Sequence, residues 1–202
     1  MQQLSTWIND RPGLYEKAQW VANLFRTHPP LLLDVLATDD CDSILEIGCG
    51  TGALVDHLAP AVAYAGLDSN PRFIEYARKR RRGTWARADA TQEMPDLGRA
   101  FHTVVFLGVL HHLTDDEVLA VWARARPLAE RRVVVMEPYR PDSPDLRWRI
   151  YAALEQGAHV RTADQWRALF TRMGLAVEKE QLITMALPIS RKIVSALTFR
   201  PV

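Results

Sequence analysis

The sequence predicts an α/β fold: a doubly wound, mostly parallel sheet of seven strands with helices on both faces and an antiparallel last strand. Strand-like and helix-like patterns alternate along most of the chain. Several strand-like runs are continuously apolar, as expected for parallel strands buried on both faces. The final two runs have no long helix between them, which favours antiparallel pairing. With 202 residues, 48% of them hydrophobic, the chain can bury the core of one domain.

Local signals predict each element in turn. The predicted strands cover residues 43–47, 62–67, 84–88, 103–107, 132–136, 175–184 and 191–199. Helical spacing covers 13–37, with a break at Pro29 and Pro30. Further helices are predicted at 53–58, from the Asn70 cap to Gly83, from the capping box at 114–117 to about residue 128, and at 164–173. This order of elements is Rossmann-like.

Composition limits the class of protein. The formal net charge is +1, which gives no reason to expect nucleic acid as a partner. Two cysteines, Cys41 and Cys49, argue against a disulfide scaffold or a cysteine-rich metal site. The first residues lack an apolar signal core, and no apolar run has the length of a membrane span. We therefore expect a cytoplasmic protein, a monomer or homodimer, that holds no metal.

A glycine-rich turn follows the first predicted strand, with Gly48, Gly50 and Gly52 at alternate positions. Glycine allows a sharp turn and lets a ligand lie against the main chain. The helix expected after it would present free N–H groups. Asp68 ends the next apolar run, and a carboxylate at that strand end can accept hydrogen bonds from the two hydroxyls of a ribose. These features predict a ligand that contains a nucleoside.

The glycine-rich turn can be interpreted in two ways. Gly48, Gly50 and Ala53 satisfy the loose dinucleotide fingerprint. Glu46 followed by three alternate glycines is a different pattern, and little chain remains for the second domain that a dehydrogenase usually needs. Asp89 follows the third predicted strand, where an acid can bind an adenine amino group; it could equally be a helix cap before Thr91.

Together these motifs resemble the class I S-adenosylmethionine-dependent methyltransferases, from about residue 40 to 182. The matching stretches are 45–52, 66–68, 88–90, 104–113, 133–138, 161–166 and 173–175. One departure is the loop at 127–131, where the family often has Pro-Gly-Gly. The resemblance implies three regions in a single domain: a helical lid at 1–40, a cofactor-binding half at 41–137 and an acceptor-side segment at 138–202.

The resemblance further implies methyl transfer from S-adenosylmethionine, with S-adenosylhomocysteine as product, to an oxygen, nitrogen or carbon of a small molecule. It places the cofactor against the turn, the next two strand ends and the fourth strand. The residues expected to bind it are Glu46, Gly48, Cys49, Gly50, Gly52, Asp68, Ser69, Asp89, Ala90, Leu107 and Gly108. Glu46 and the glycines would shape the methionine pocket, and Leu107 and Gly108 would line the site below the sulfonium.

The acceptor would face the loop after the fourth strand. His111 could take a proton from an acceptor hydroxyl or amine, or it could only support the loop. His112, Tyr139 and Arg149 are further candidate acceptor contacts, and Tyr15 would belong to the lid. The aromatic residues of 139–151 could instead pack their own helix while the arginines remain solvated.

The sequence is also compatible with other functions. They are a nucleic-acid or protein methyltransferase, a non-catalytic subunit that binds the cofactor, and a nicotinamide-dependent oxidoreductase. The basic run 78–82 could contact phosphate, but cations at the end of a helix also complement its dipole. The second interpretation is favoured.

Overall fold

The computed structural model describes residues 11–16, 34, 36, 41–154, 159–184 and 191–199. The strands are β1 Ser43–Ile47, β2 Ala63–Asp68, β3 Thr84–Arg87, β4 Phe101–Leu107, β5 Ala129–Pro138, β6 Leu175–Thr184 and β7 Arg191–Phe199. The longer helices are α1 Pro71–Arg80, α2 Asp115–Ala125, α3 Leu146–Leu154 and α4 Ala163–Arg172. Short 3₁₀ helices occupy Ala53–His57, Leu110–His112 and Arg126–Leu128, and a helical turn covers 12–16.

The seven strands form one sheet in the order β3-β2-β1-β4-β5-β7-β6. The pairs between β1 and β2, β2 and β3, β1 and β4, and β4 and β5 are parallel. β7 runs antiparallel to both neighbours, β5 and β6. The predicted fold class is confirmed. The strand order reverses between β1 and β4, and in open α/β sheets ligands bind outside the carboxyl ends of the strands at such a point.

Local chemistry accounts for the helix starts. Asn70 caps α1 by accepting from the backbone N–H of Arg72, with Pro71 in the first position, as predicted. α2 begins with the predicted capping box between Thr114 and Glu117. α4 has a second capping box between Thr162 and Gln165, which the sequence analysis did not identify.

The core lies in two layers, one on each face of the sheet. On one face, α2 and α4 pack over β1, β4 and β5, and Trp166 and Phe170 are among the fully buried side chains. On the other face, α1 and the first 3₁₀ helix pack over Ile44, Val105 and Val134. Burying each large apolar side chain contributes about 1.5–3 kcal/mol, so both layers hold the central strands in place.

Three predicted elements need correction. The helix expected at 53–58 is a 3₁₀ helix, Ala53–His57, whose first turn follows Gly52 without a side-chain cap. Its short length weakens the expected contribution of a helix dipole to ligand binding. α1 ends at Arg80, before Gly83, because Arg81 is already extended. The helix that could be packed by the aromatic residues of 139–151 begins only at Leu146, as α3.

The predicted N-terminal helix at 13–37 is described only at 13–16, 34 and 36; Trp20 and the break at Pro29 and Pro30 lie outside the described residues. No helix in the described part of the chain has the length and apolar character needed to cross a membrane.

Candidate cofactor and acceptor site

The glycine turn is fastened to the end of β2. The backbone N–H groups of Gly48 and Cys49 both donate to the carbonyl of Leu67, at 2.8 and 2.9 Å. The N–H of Gly50 donates to Oδ2 of Asp68 at 2.8 Å. Gly50 has φ of 55°, in the left-handed region that favours glycine. The turn and the acid predicted to serve one ligand are therefore in direct contact.

Asp68 is half-buried and is held on both oxygens. Its Oδ1 accepts from the backbone N–H of Asn70 at 2.8 Å, while Oδ2 accepts from Gly50. Burial raises the pKa of Asp68 above its usual value, and the two backbone hydrogen bonds oppose that rise. A carboxylate has about four lone-pair sites, so two remain for other donors such as hydroxyls.

The glycines at the strand ends serve different purposes. A Cβ at Gly48 would lie 2.6 Å from Val109 Cγ2, and a Cβ at Gly52 would lie 2.1 Å from the Trp85 ring. Their missing side chains make room for neighbouring protein atoms. Gly50 and Gly108 differ, because the nearest atoms to a Cβ there are 3.8 and 4.0 Å away. At these two glycines no protein atom crowds the main chain, and the stretch that they line along the ends of β1 and β4 is called the cradle below.

Glu46 lies on β1 with its carboxylate buried, and the hydroxyl of Tyr64 donates to its Oε2. Burial raises its pKa from 4.5 to about 8; the Tyr64 hydrogen bond lowers it and the charge of Asp68 raises it further. The neighbouring thiol of Cys49 is also buried, which raises its pKa well above the ordinary value. A thiol in that state is a poor nucleophile.

The remaining predicted cofactor residues follow strand ends. Ser69 is exposed directly after Asp68, and Leu107 is half-buried at the end of β4. The N–H of Ala88 donates to the carbonyl of Asp68 at 3.0 Å, which sets Asp89 and Ala90 close to the end of β2. Asp89 is exposed, and its Oδ1 accepts from the backbone N–H and the hydroxyl of Thr91. These bonds close a turn at 90–92 and do not cap a helix, because none begins there.

His111 pairs with an acid that the sequence analysis did not include in the site. Its Nδ1 lies 2.6 Å from Oε2 of Glu137, and both side chains are buried. The carboxylate of Glu137 also accepts from the N–H groups of Val109 and Leu110, at 2.9 and 2.8 Å. The contact favours the tautomer that carries its proton on Nδ1 and leaves Nε2 as the proton acceptor. Cε1 of His111 lies at the open side of Gly108.

Comparison with known proteins agrees with this geometry. Residues 44–131 match the family model of the methyltransferase domain. An uncharacterized methyltransferase of Mycobacterium tuberculosis is 33% identical over 101 residues, which cover 48% of this chain and 49% of that protein. The dTDP-3-amino-3,4,6-trideoxy-alpha-D-glucopyranose N,N-dimethyltransferase of Streptomyces venezuelae is 32% identical over 132 residues, 61% of this chain and 49% of that protein.

The crystal structure of magnesium protoporphyrin IX methyltransferase from Synechocystis with bound S-adenosylhomocysteine superposes with a TM-score of 0.67. Its sequence identity is 16%, and the match covers 98% of this chain and all of that one. Residues 44–131 therefore resemble a methyltransferase domain, and the chain has the fold of that solved methyltransferase. The chain spans about half the length of the curated relatives it matches.

The residues that the sequence suggests as acceptor contacts lie in different environments. His112 is exposed, with its ring centroid 4.1 Å from that of His111. Tyr15 is half-buried over the glycine turn. Tyr139 is half-buried and lines a cavity of about 330 Å³, together with Arg140, Asp142 and Arg167.

In the segment after β5, aromatic residues pack within their own helix, as one of the two interpretations predicted. Trp148 is buried and contacts Tyr151, with ring centroids 5.2 Å apart. Arg149, on α3 between them, is exposed.

The basic run at the end of α1 is structural. Arg78 donates to the carbonyl of Trp85 at 2.7 Å, and Arg82 donates to the carbonyl of Ala59 at 2.8 Å. These charge-assisted bonds tie the end of α1 to β3 and to the segment before β2, an effect stronger than the dipole interaction that the sequence suggested.

Proposed function

We propose that the chain transfers the methyl group of S-adenosylmethionine to an oxygen, nitrogen or carbon atom of a small molecule. The observation that carries the proposal is the arrangement of Gly50, Gly108 and Asp68 along one edge of the sheet. The open glycines leave room against the main chain, and the carboxylate can accept from two ribose hydroxyls. S-adenosylmethionine contains that ribose, and its methyl sulfonium is already activated for transfer.

In this proposal the chain binds, orients and encloses the reactants. The ribose contact is assigned to Asp68, with Ser69 beside it, and the adenine contact to Asp89 and Ala90. The pocket for the methionine part is assigned to the turn and the ends of β1 and β4, namely Glu46, Gly48, Cys49, Gly50, Gly52, Leu107 and Gly108. Alignment of the acceptor atom with the methyl carbon would then supply a large part of the rate.

His111 is assigned to the acceptor. Its buried contact with Glu137 orients the ring and favours a proton on Nδ1, and the proposal assigns Nε2 as the atom that accepts a proton from an acceptor hydroxyl or amine. The neighbouring contacts are assigned to Tyr15, His112, Tyr139 and Arg149. A small-molecule acceptor is supported by the relatives, whose names specify an amino sugar and a porphyrin.

The first experiment separates the candidate cofactors and acceptors. Titration calorimetry with S-adenosylmethionine, S-adenosylhomocysteine and NAD should give binding of the first two alone. The chain is then incubated with methyl-labelled S-adenosylmethionine and separate small-molecule, protein and nucleic-acid fractions of a cell extract. Label in the small-molecule fraction supports the proposal. NAD binding in place of S-adenosylmethionine, or label confined to another fraction, would refute it.

The role of His111 is tested with a neighbouring control. His111→Ala should lower the turnover rate by roughly 10²–10⁴ and leave cofactor affinity unchanged if the imidazole is the base. His112→Ala removes an assigned acceptor contact one position away but no proton acceptor, so it should weaken acceptor binding and change the turnover rate far less. If His111 only supports the loop, the rate should fall less and cofactor affinity should fall with it.

A further inference from the structure

Arg81 joins three separate segments around the glycine turn. Its Nη1 donates to Oε1 of Glu16 at 2.6 Å and to the carbonyl of Thr51 at 2.9 Å. Its Nε donates to Oδ2 of Asp56 at 2.8 Å. The Arg81 side chain is only 11% exposed, so these charge-assisted bonds are partly shielded from water.

Glu16 is held on both oxygens, by one residue of α1 and by the residue that follows this helix. The hydroxyl of Tyr76 donates to Oε2 at 3.0 Å, while Arg81 binds Oε1. The residue before it, Tyr15, packs on Phe73 with ring centroids 4.8 Å apart. These contacts dock the helical turn at 12–16 on α1.

The docked turn lies over the open glycine of the cradle. Tyr15 Cε1 is 3.8 Å from the position of a Cβ on Gly50, and it is the nearest atom on that side. Arg81 holds the carbonyl of Thr51, and Asp68 holds the N–H of Gly50. The same arginine therefore fastens the wall of the cradle and the segment that covers it.

We infer that Arg81 is a positioning residue that, through Glu16 and Thr51, locks residues 12–16 over the cofactor and thereby slows its release. The inference rests on the proposed function, because it takes S-adenosylhomocysteine as the ligand in the cradle. Arg81 contacts no reacting atom in this scheme; it acts through Tyr15 above Gly50 and through the backbone of the turn. Undocking residues 12–16 should speed dissociation more than association, since a cover restrains a ligand that is already bound.

The test measures the dissociation rate of labelled S-adenosylhomocysteine, chased with unlabelled S-adenosylmethionine. Glu16→Gln keeps the shape of the side chain and weakens the bond to Arg81, so dissociation should be about tenfold faster. Arg81→Gln should accelerate it at least as much. Glu75→Gln is the matched control, because Glu75 is an exposed acid on α1 that pairs only with Lys79 among its described contacts. It should release the ligand at the wild-type rate.

The thermal midpoint of the ligand-free variants separates positioning from general destabilisation. A faster release by Glu16→Gln with an unchanged midpoint supports the inference. A wild-type release rate in both Glu16→Gln and Arg81→Gln overturns it, and so does acceleration by Arg81→Gln alone, because the arginine would then act only through Thr51. If the wild-type chain fails to bind S-adenosylhomocysteine at all, the proposed function is what fails.

Discussion

Replacing Glu46 by glutamine should change how the stability of the protein depends on pH. The folded protein raises the pKa of Glu46 from 4.5 to about 8, mainly by burial. Between those values the native state keeps a proton that the unfolded chain releases, so the free energy of unfolding falls as pH rises. One titrating group gives a slope of roughly 1 kcal/mol per pH unit. The stability that the protonated Glu46 contributes should be fully present below the unfolded pKa and fully lost above the folded pKa.

Glu46→Gln removes this titration and keeps a carbonyl oxygen for the hydroxyl of Tyr64. At a pH near the unfolded pKa, the variant and the wild type should have the same free energy of unfolding. At about pH 8, that of the variant should be higher by several kcal/mol, as an order of magnitude. Urea unfolding of both proteins at a series of pH values measures the difference. Glu93→Gln, at an exposed position, controls for the loss of charge alone. Parallel stability curves for the wild type and Glu46→Gln would refute the reasoning.

Three further predictions concern the glycine turn and its acid. Asp68→Ala should weaken S-adenosylhomocysteine binding by about 1.5–3 kcal/mol, because charge-assisted hydrogen bonds are lost; unchanged affinity in calorimetry would remove the ribose role. Gly50→Val should abolish binding in a protein that circular dichroism finds folded, since a branched side chain fills the open side of the cradle. Gly52→Ala should instead lower the free energy of unfolding by about 1–3 kcal/mol, because its Cβ meets Trp85, and wild-type stability in urea would contradict this explanation.

Much of the fold could be predicted because its signals are local. The runs at 175–184 and 191–199 coincide with β6 and β7, and their antiparallel pairing follows from the short connection. The capping box at Thr114 places the start of α2. A chain that alternates continuous apolar strands with capped helices has few arrangements open to it, and the observed sheet is one of them.

What could not be predicted depends on contacts between distant parts of the chain. Gly52 seemed to make room for a ligand, but the Trp85 ring from β3 occupies that space. The helix expected after the turn is a short 3₁₀ helix, because packing of Leu54 and Val55 against the sheet overrides its weak local preference. The partners of Arg81 lie 25 to 65 positions away, so the basic run alone could not identify them.

Glu137 could have been recognised, because the two sides of the crevice are built alike. Gly48 follows β1 and donates its N–H to Leu67 near the end of β2; Gly108 follows β4 and donates to Met136 near the end of β5. The residue after each accepting carbonyl is an acid: Asp68 follows Leu67 in β2, and Glu137 follows Met136 in β5. The carboxylate of each acid accepts from a backbone N–H of the loop after the neighbouring strand.

The two carboxylates differ in how many acceptor sites they retain for a ligand. Glu137 is fully buried, and its oxygens are taken by three backbone N–H groups and the ring of His111. Asp68 is half-buried and accepts two backbone bonds, so it retains acceptor sites at the crevice. The same construction therefore leads to two roles: Asp68 can bind a ligand directly, whereas Glu137 can act on one only through the histidine that it orients. Because β1 and β4 are adjacent at the centre of the sheet, these roles face each other across the point where the strand order reverses.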